Sequence, residues 1–525
     1  MQRPVTTGWR DSAIRNYPLA DLEEALRQFH EPVFVAMESV NTTREFRRNA
    51  YAPPLHPADL GDPAFRAAHG VRYNYVTGAM ANGIASADLV EAMANAGMLG
   101  FFGAAGLSPA RIESALQRLS TNLAGKAWGC NLINSPGDPL WQDAVAALCL
   151  KYKVPCVEAS AYISLSLPLV KFRVSGIHQD ADGRVVAPNR VMAKLSRAEV
   201  AKRFLSPPPE KMLKQLVESG HITADQAAWA QRIPMAEDIT VEADSGGHTD
   251  HRPAINVLPA IIALRDQMQA EHGYAVAPRI GLAGGIGTPA AVAAAFTMGA
   301  AYVLTGSINQ ACRESGSSDR VRSMLAAASQ TDVAQAPAAD MFEMGVTVQV
   351  LSKGTRFTTR GAKLFQIFKQ YESIDDIPAE EREKIEAELF RAPLTEIWEQ
   401  TRAFFAERDP SQIEKAEARP RHKMALIFRW YLGQSSRWAN AGIEDRQEDY
   451  QVWCGPAMGA FNEWVAGSAL EPVEARRAEP VALNLLAGAS IALRAAALRM
   501  QGVPVPPGLA NPRPLAADVI VAALQ

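Results

Sequence analysis

The chain has 525 residues, a formal net charge of −3 and an apolar fraction of 48%. That composition is ordinary for a soluble globular protein and carries no electrostatic footprint for nucleic acid or an anionic membrane. The length allows two to four domains, or one α/β barrel of ~250 residues with additions.

The opening residues, MQRPVTTGWRDSAIRNY, lack the apolar core of a signal peptide. No window approaches the ~20 apolar residues of a membrane span. The five cysteines (Cys130, Cys149, Cys156, Cys312 and Cys454) are scattered and odd in number. With no CxxC among them, a reduced cytoplasmic setting fits better than a disulfide framework.

Residues 1–50 read as an entry segment, with a helical pattern over Leu19–Phe29 and a short strand over Val33–Met37. From Val71 the chain alternates strand and helix. VRYNYV (71–76) is β-rich and is broken by GAMANG (78–83); Ser86 suits the N-cap of the next helix. MLGFFG (98–103) is the second strand, and Ser108-Pro109 opens its helix with proline at a permitted first-turn position. AWGCNLI (127–133) is the third strand and Pro155–Ala161 the fourth. Ser175–Pro188 looks like a hairpin. RVMAKLS (190–196) is the fifth strand. Residues 201–234 exceed one crossover helix and read as a helical insertion. ITVEAD (239–244), RIGLAG (279–284) and AYVLTG (301–306) are strands six to eight. DRVRSMLAAAS reads as the last barrel helix.

Eight apolar strands alternating with helices predict a closed (β/α)8 TIM barrel over 51–338. A doubly wound sheet would need GxGxxG after its first strand, and neither Gly78–Gly83 nor Gly103–Gly106 has that spacing. Residues 339–525 read as mainly helical, packed over the barrel mouth, with an aromatic-rich stretch from Trp430 to Trp464 and nothing of catalytic appearance.

The chemistry concentrates at strand ends. Gly284-Gly285-Ile286-Gly287, followed by the helix start Thr288-Pro289, and Thr305-Gly306-Ser307 end strands seven and eight, where this barrel places a phosphate. The bland alternative is a pair of tight turns. Ser245-Gly246-Gly247-His248 ends strand six. His248 either caps a helix or passes a proton near neutral pH; His251 is less constrained. Glu242 and Asp244 nearby also suggest a metal, but no HxH, HExxH or cysteine partner accompanies them. The small residues of Gly78–Gly83 let a flat ring lie over the backbone, Asn131 and Asn134 end strand three with amides that either bond a ring heteroatom or cap a turn, and Lys194, if inward, needs an anionic or electron-rich partner.

Together, YNYVTGAMANGIAS (73–86), GMLGFFGAAGL (97–107), WGCNLINSP (128–136), EADSGGHTDHRP (242–253), IGLAGGIGTP (280–289) and VLTGSINQA (303–311) resemble a flavin barrel of the nitronate monooxygenase superfamily. With MFEMGVTVQVLSKGTRF (341–357) and the helices to about Thr401, the resemblance is to PfaD-type trans-acting enoyl reductases of polyunsaturated fatty acid and trans-acyltransferase polyketide synthases. It implies FMN, NADPH or NADH as hydride donor, and an enoyl thioester on an acyl carrier protein of a synthase megacomplex. A homodimer stays open.

Carried over, Gly78, Ala79 and Met80 match the segment under the isoalloxazine, Asn131 the strand-three amide and Lys194 a lysine near the flavin. Gly246, Gly247, Gly284, Gly285, Gly306 and Ser307 match the flavin-phosphate region, and His248 the active-site histidine. The insertion and the long C-terminal region, absent from nitronate monooxygenases, favour a bulky tethered substrate. The rival functions are a flavin oxygenase of small nitronates and a non-catalytic scaffold within a synthase.

Overall fold

The computed structural model describes residues 18, 21–38, 47–135 and 137–524. The signal-peptide reading of the first residues, the first residues of the expected entry helix and Pro136 fall outside that set. The entry helix is Leu22–Arg27 and the expected short strand is Val33–Glu38, paired antiparallel with Arg47–Ala52.

All eight expected barrel strands form: β1 (Tyr75–Thr77), β2 (Leu99–Phe102), β3 (Gly129–Ile133), β4 (Cys156–Ser160), β5 (Arg190–Leu195), β6 (Asp238–Glu242), β7 (Arg279–Ala283) and β8 (Val303–Thr305). They pair in chain order, and β8 closes on β1. Every pair is parallel. The reason is in the residues: each strand is a short apolar run that can be buried on both faces, which parallel sheets require. Helices α1 (Ala87–Asn95), α2 (Pro109–Asn122), α3 (Pro139–Lys151), α4 (Leu167–Val174), α5 (Ala198–Leu205), α6 (Ala254–His272) and α7 (Pro289–Thr297) follow strands one to seven. The Ser86 and Ser108 side chains accept from Leu89 and Arg111 N–H as N-caps.

The N-terminal end of the barrel is plugged by the short helix Pro63–His69. Phe65 stacks on Tyr302 with ring centroids 4.4 Å apart. His69 Nε2 lies 2.8 Å from Asp238 Oδ2, and Arg279 Nε donates to Asp238 Oδ1 at 2.6 Å. Burial alone would raise the Asp238 pKa, but His69 and Arg279 outweigh it and hold the carboxyl well below the usual range.

Three expectations are corrected. The insertion past α5 folds as the two expected helices, Glu210–Glu218 and Ala224–Ala230, the second with a Thr223–Gln226 capping box, and only its expected role at the substrate is overturned. They pack on α4 and the hairpin His178–Gln179/Val185–Val186. These connections lead back to strand N-termini, so the insertion sits away from the site and cannot shape a substrate there.

The second correction concerns α8 (Asp319–Ala326), which packs on the C-terminal helices and does not serve as the eighth wall helix. That place, between α7 and α1, is taken by Ala478–Met500. The longer helix fits because it is apolar nearly all round: it faces the barrel on one side and the entry hairpin on the other. Its buried Arg494 donates to the carbonyls of Leu26, Gln28, Glu31 and Pro53, tying the hairpin down.

The third correction follows. Ala478–Met500 is long and apolar enough to span a membrane by length and composition, with a mean hydropathy of 1.7. Of that window, 83% is buried inside the protein, as in a core helix.

Beyond the barrel, β9 (Val333–Pro337) pairs antiparallel with β10 (Thr347–Leu351). The turn between them contains the expected 338/339 boundary. Helices α9 (Phe357–Gln370), α10 (Leu394–Arg408) and α11 (Pro420–Ala441) share a second core around Phe342, Phe357, Phe428 and Tyr431. Helix α12 (Ala457–Val465) docks beside α8, and Ala478–Met500 is α13.

Candidate active site

A cavity of about 1150 Å³ opens at the carboxyl ends of the barrel strands. The barrel forms its floor, and the region after 338 forms the opposite wall. This exceeds the ~300–1,000 Å³ usual for one small ligand. Most of the residues singled out in the sequence line it: Gly78, Ala79, Met80, Asn131, Lys194, Glu242, Gly246, Gly247, His248, Gly284, Gly285, Gly306 and Ser307; Asp244, His251 and Gly287 do not.

The floor is charged. Lys194 Nζ on β5 lies 3.1 Å from Glu242 Oε1 on β6. Burial works against the ammonium, but Glu242 and Glu158 outweigh it and raise the lysine pKa. Glu158 on β4 is fully buried, and the Ala79 N–H points at its carboxyl at 3.3–3.4 Å. Burial is the largest influence on Glu158; Lys194 opposes it and Glu242 adds to it, and the pKa is pushed up to about 7. Sequence reading missed Glu158. Its signal was an ionisable residue inside the otherwise buried strand CVEAS. Asn131 donates both amide hydrogens, to Glu158 O at 3.0 Å and Ser160 Oγ at 3.1 Å.

His248 stands in the cavity wall with Nε2 3.2 Å from Asp340 Oδ2. Burial lowers its pKa, but the Asp340 hydrogen bond and charge, with Glu242, raise it on balance. His251 lies outside the cavity, at a φ of +51°, and its Nδ1 is 2.8 Å from Asp244. Glu242, Asp244, His248 and His251 therefore each take a different partner and do not converge on a metal position.

The loops after β7 and β8 match a phosphate cradle in part. A Cβ on Gly285 or on Gly306 would meet nothing within 4 Å. The N–H groups of Gly285, Gly306 and Ser307 have no partner among the described residues. Unpaired amides of this kind suit an anion. The start of α7 does not contribute as expected. Ala290 N–H donates to Asn511 Oδ1 at 2.9 Å, and a Cβ on Gly287 would strike Ala457 O at 2.3 Å. The chain that returns from the C-terminal region has already satisfied that helix end.

Gly246 is small for a different reason from the one expected. A Cβ there would lie 2.9 Å from the Cys454 backbone, and one on Gly455 would lie 2.8 Å from Gly246 N. Gly247 exchanges hydrogen bonds with Gln349, N–H to O at 2.9 Å and O to N–H at 2.8 Å. The SGGH loop is thus pinned to β10 and to the segment before α12. Asn82 donates to Ser436 Oγ on α11 at 3.1 Å, pinning the first loop likewise. The region after 338, read as having no catalytic appearance, supplies Asp340, Gln349, Ser436 and Trp453 to the cavity or its supports. Their partners lie more than a hundred residues upstream of most of them, beyond the reach of any local pattern.

A family model for nitronate monooxygenase matches residues 65–341, more than half of the chain. One described as the inserted helical domain of [acyl-carrier-protein] S-malonyltransferase matches 371–450. A polyunsaturated fatty acid synthase component of Thraustochytrium sp. is 43% identical over 513 residues, 95% of this chain and 34% of that protein. The polyketide biosynthesis protein PksE of Bacillus subtilis is 43% identical over 83% of this chain and 56% of its own length. The chain thus spans roughly a third to a half of these relatives. The crystal structure of the enoyl reductase domain of MlnA, from the macrolactin biosynthesis cluster of Bacillus amyloliquefaciens, superposes with a TM-score of 0.79 at 40% identity, covering 85% of this chain and 99% of that one.

Proposed function

The chain belongs to the nitronate monooxygenase family, in its branch of PfaD-type enoyl reductases, and we propose that it reduces the α,β double bond of an enoyl thioester on an acyl carrier protein. The reaction is placed in trans to a synthase complex, in the cytoplasm, with FMN as resident cofactor and NADPH or NADH as donor. The observation that carries this reading is the unpartnered amide cradle of Gly285, Gly306 and Ser307 beside a cavity large enough for more than one ligand. The match of 371–450 to a domain of a carrier-protein transferase supports the tethered substrate.

FMN, when bound, supplies a two-electron hydride relay from the dinucleotide to the β-carbon. The chain's own residues do the rest. The amides of Gly285, Gly306 and Ser307 would hold the FMN phosphate. The Gly78–Met80 backbone would support the flavin ring, and Lys194, fixed by Glu242 and Glu158, would supply a positive charge there. His248, kept protonated to higher pH by Asp340, donates a hydrogen bond or a proton to the thioester as charge develops there. Residues of α10 and α11 wall the cavity on the side facing the barrel.

The absorption spectrum of purified protein and steady-state NAD(P)H oxidation test this. A flavin spectrum with turnover of a crotonyl thioester is expected. A flavoprotein that turns over a nitronate with oxygen and ignores the thioester would replace the reading with the oxygenase. A colourless protein would leave a scaffold.

A further inference from the structure

Four arginines line the cavity: Arg197, Arg408, Arg429 and Arg437. Two are already paired, Arg197 with Asp250 at 2.9 Å and Arg429 with Glu343 at 3.4 Å. Arg408, at the end of α10, and Arg437, on α11, have no hydrogen bond or ion pair among the described residues. Arg408 instead lies over the Phe404 ring, 4.5 Å from its centroid. Burial, and then the neighbouring Arg408 charge, hold the Arg437 guanidinium below its usual pKa.

The charge balance of the cavity is equally one-sided. Its carboxylates, Glu242, Asp250 and Asp340, each already face a cation. With Arg429 paired to Glu343, Arg408 and Arg437 are left without a carboxylate partner among the described residues, in a chain whose net charge is −3. Two like charges on packed helices, with no carboxylate paired to either among the described residues, favour an anion between them.

Resting on the enoyl reductase reading, we propose that Arg408 and Arg437 form a second anion subsite that grips the phosphate ester of the arm carrying the acyl thioester. Guanidinium forks match phosphate oxygens two at a time, and stacking on Phe404 orients one fork in advance. The subsite is distinct from the Gly285/Gly306 cradle, which lies on the barrel and consists of neutral amides. It sits on the covering helices, where Arg408 and Arg437 are solvent-exposed. A ligand tethered to a carrier outside the cavity would come within reach of these exposed side chains. Apolar side chains open to the cavity, Ile163 (70% exposed) and Met344 (71%), are available to the acyl chain.

The test compares crotonyl-CoA, crotonyl-phosphopantetheine, crotonyl-pantetheine and crotonyl-N-acetylcysteamine as substrates of the holoenzyme and of Arg437→Ala, Arg408→Ala and Arg437→Lys, each checked for retained flavin. In the wild type the phosphate-bearing thioesters should show the lower KM. The alanine variants should raise that KM by ~10-fold, the order of a lost charge-assisted hydrogen bond, and erase the preference. Arg437→Lys should restore part of it, with kcat little changed. A rise confined to the KM of NADPH or NADH would assign the subsite to the dinucleotide and overturn the proposal, as would an equal loss on all four thioesters.

Calorimetric binding of phosphopantetheine against pantetheine separates this from the function itself. Phosphate-dependent binding that the alanine variants lose, in an enzyme that reduces no enoyl thioester, would keep the subsite and discard the reductase. Equal binding of both probes to the wild type would discard the subsite.

Discussion

Replacing His248 by alanine removes the imidazole that reaches the cavity and leaves the amide cradle intact. The variant should therefore keep its flavin and still be reduced by NAD(P)H. The second half-reaction, from reduced flavin to enoyl thioester, should slow by ~10²-fold or more if a general acid is lost. Asp340→Asn refines the test. The pair is open to the cavity, with side chains 41% and 59% exposed, so solvent screens it. An exposed ion pair contributes ~0.2–1 kcal/mol, and a pH unit corresponds to ~1.4 kcal/mol, which limits the effect of Asp340 to ~0.7 pH unit. A raised histidine pKa keeps the acid form to higher pH, and the half-reaction falls as pH rises through it. In Asp340→Asn that fall should begin earlier, by no more than this amount. Stopped-flow traces of the two half-reactions across pH read both outcomes, with His251→Ala as a control, since its ring faces Asp244 outside the cavity. Reoxidation of His248→Ala by enoyl thioester at the wild-type rate would make the histidine structural and turn attention to Lys194.

Gly285→Asp should purify folded but without flavin, because it sets a carboxylate where amides meet a dianion. Gly285→Asn imposes the same demand at φ +73° without the charge, so flavin lost equally from both would refute the electrostatic argument. Asp238→Asn should destabilise the barrel by ~3–5 kcal/mol, as when one partner of a buried ion pair is removed, measured by denaturant unfolding. The native Asp238 pKa is depressed, so its contribution is complete above the unfolded value of ~4 and is lost as pH falls below it; unfolding free energies insensitive to pH in that range would contradict the assignment. A chain ending near Ala338 loses β10 and α13, and should be poorly soluble by light scattering because the eighth barrel wall is stripped bare. A monodisperse, active truncation would show that the covering region is dispensable.

The barrel was legible because its evidence is local. Each strand announces itself by a short apolar run, several with a Gly-bearing end, and order along the chain fixes order around the barrel once crossovers are right-handed. The cradle was half legible for the same reason: Gly285, Gly306 and Ser307 follow their strands directly. Its expected helix end was lost to Asn511, which lies 221 residues away. Glu158 was hidden in a strand of ordinary appearance, since a buried carboxylate acquires meaning only when Lys194 is seen on the adjacent strand. Helix α13 was unreadable as the eighth wall, because apolar periodicity does not say which surface a helix will cover, and DRVRSMLAAAS stood in the expected place.

The distribution of glycines argues that barrel and cover act as one site. A Cβ at Gly246, Gly287, Gly455 or Gly459 would collide with backbone from the other side of the junction, at separations from 2.0 to 2.9 Å. Backbone–backbone contact this close leaves no freedom for the cover to slide without breaking the Gly247–Gln349 bridge. A cover that swung open as a rigid lid would give up those bonds at every turnover. Entry of a substrate is therefore better served by a fixed mouth in the cavity rim, where exposed residues such as Phe404, Arg408 and Arg437 line it, than by a hinge at the SGGH loop. On that geometry the helices after 338 act as a permanent wall with a doorway. On the proposed reading, substrate specificity would then reside in the cover and the hydride chemistry in the barrel.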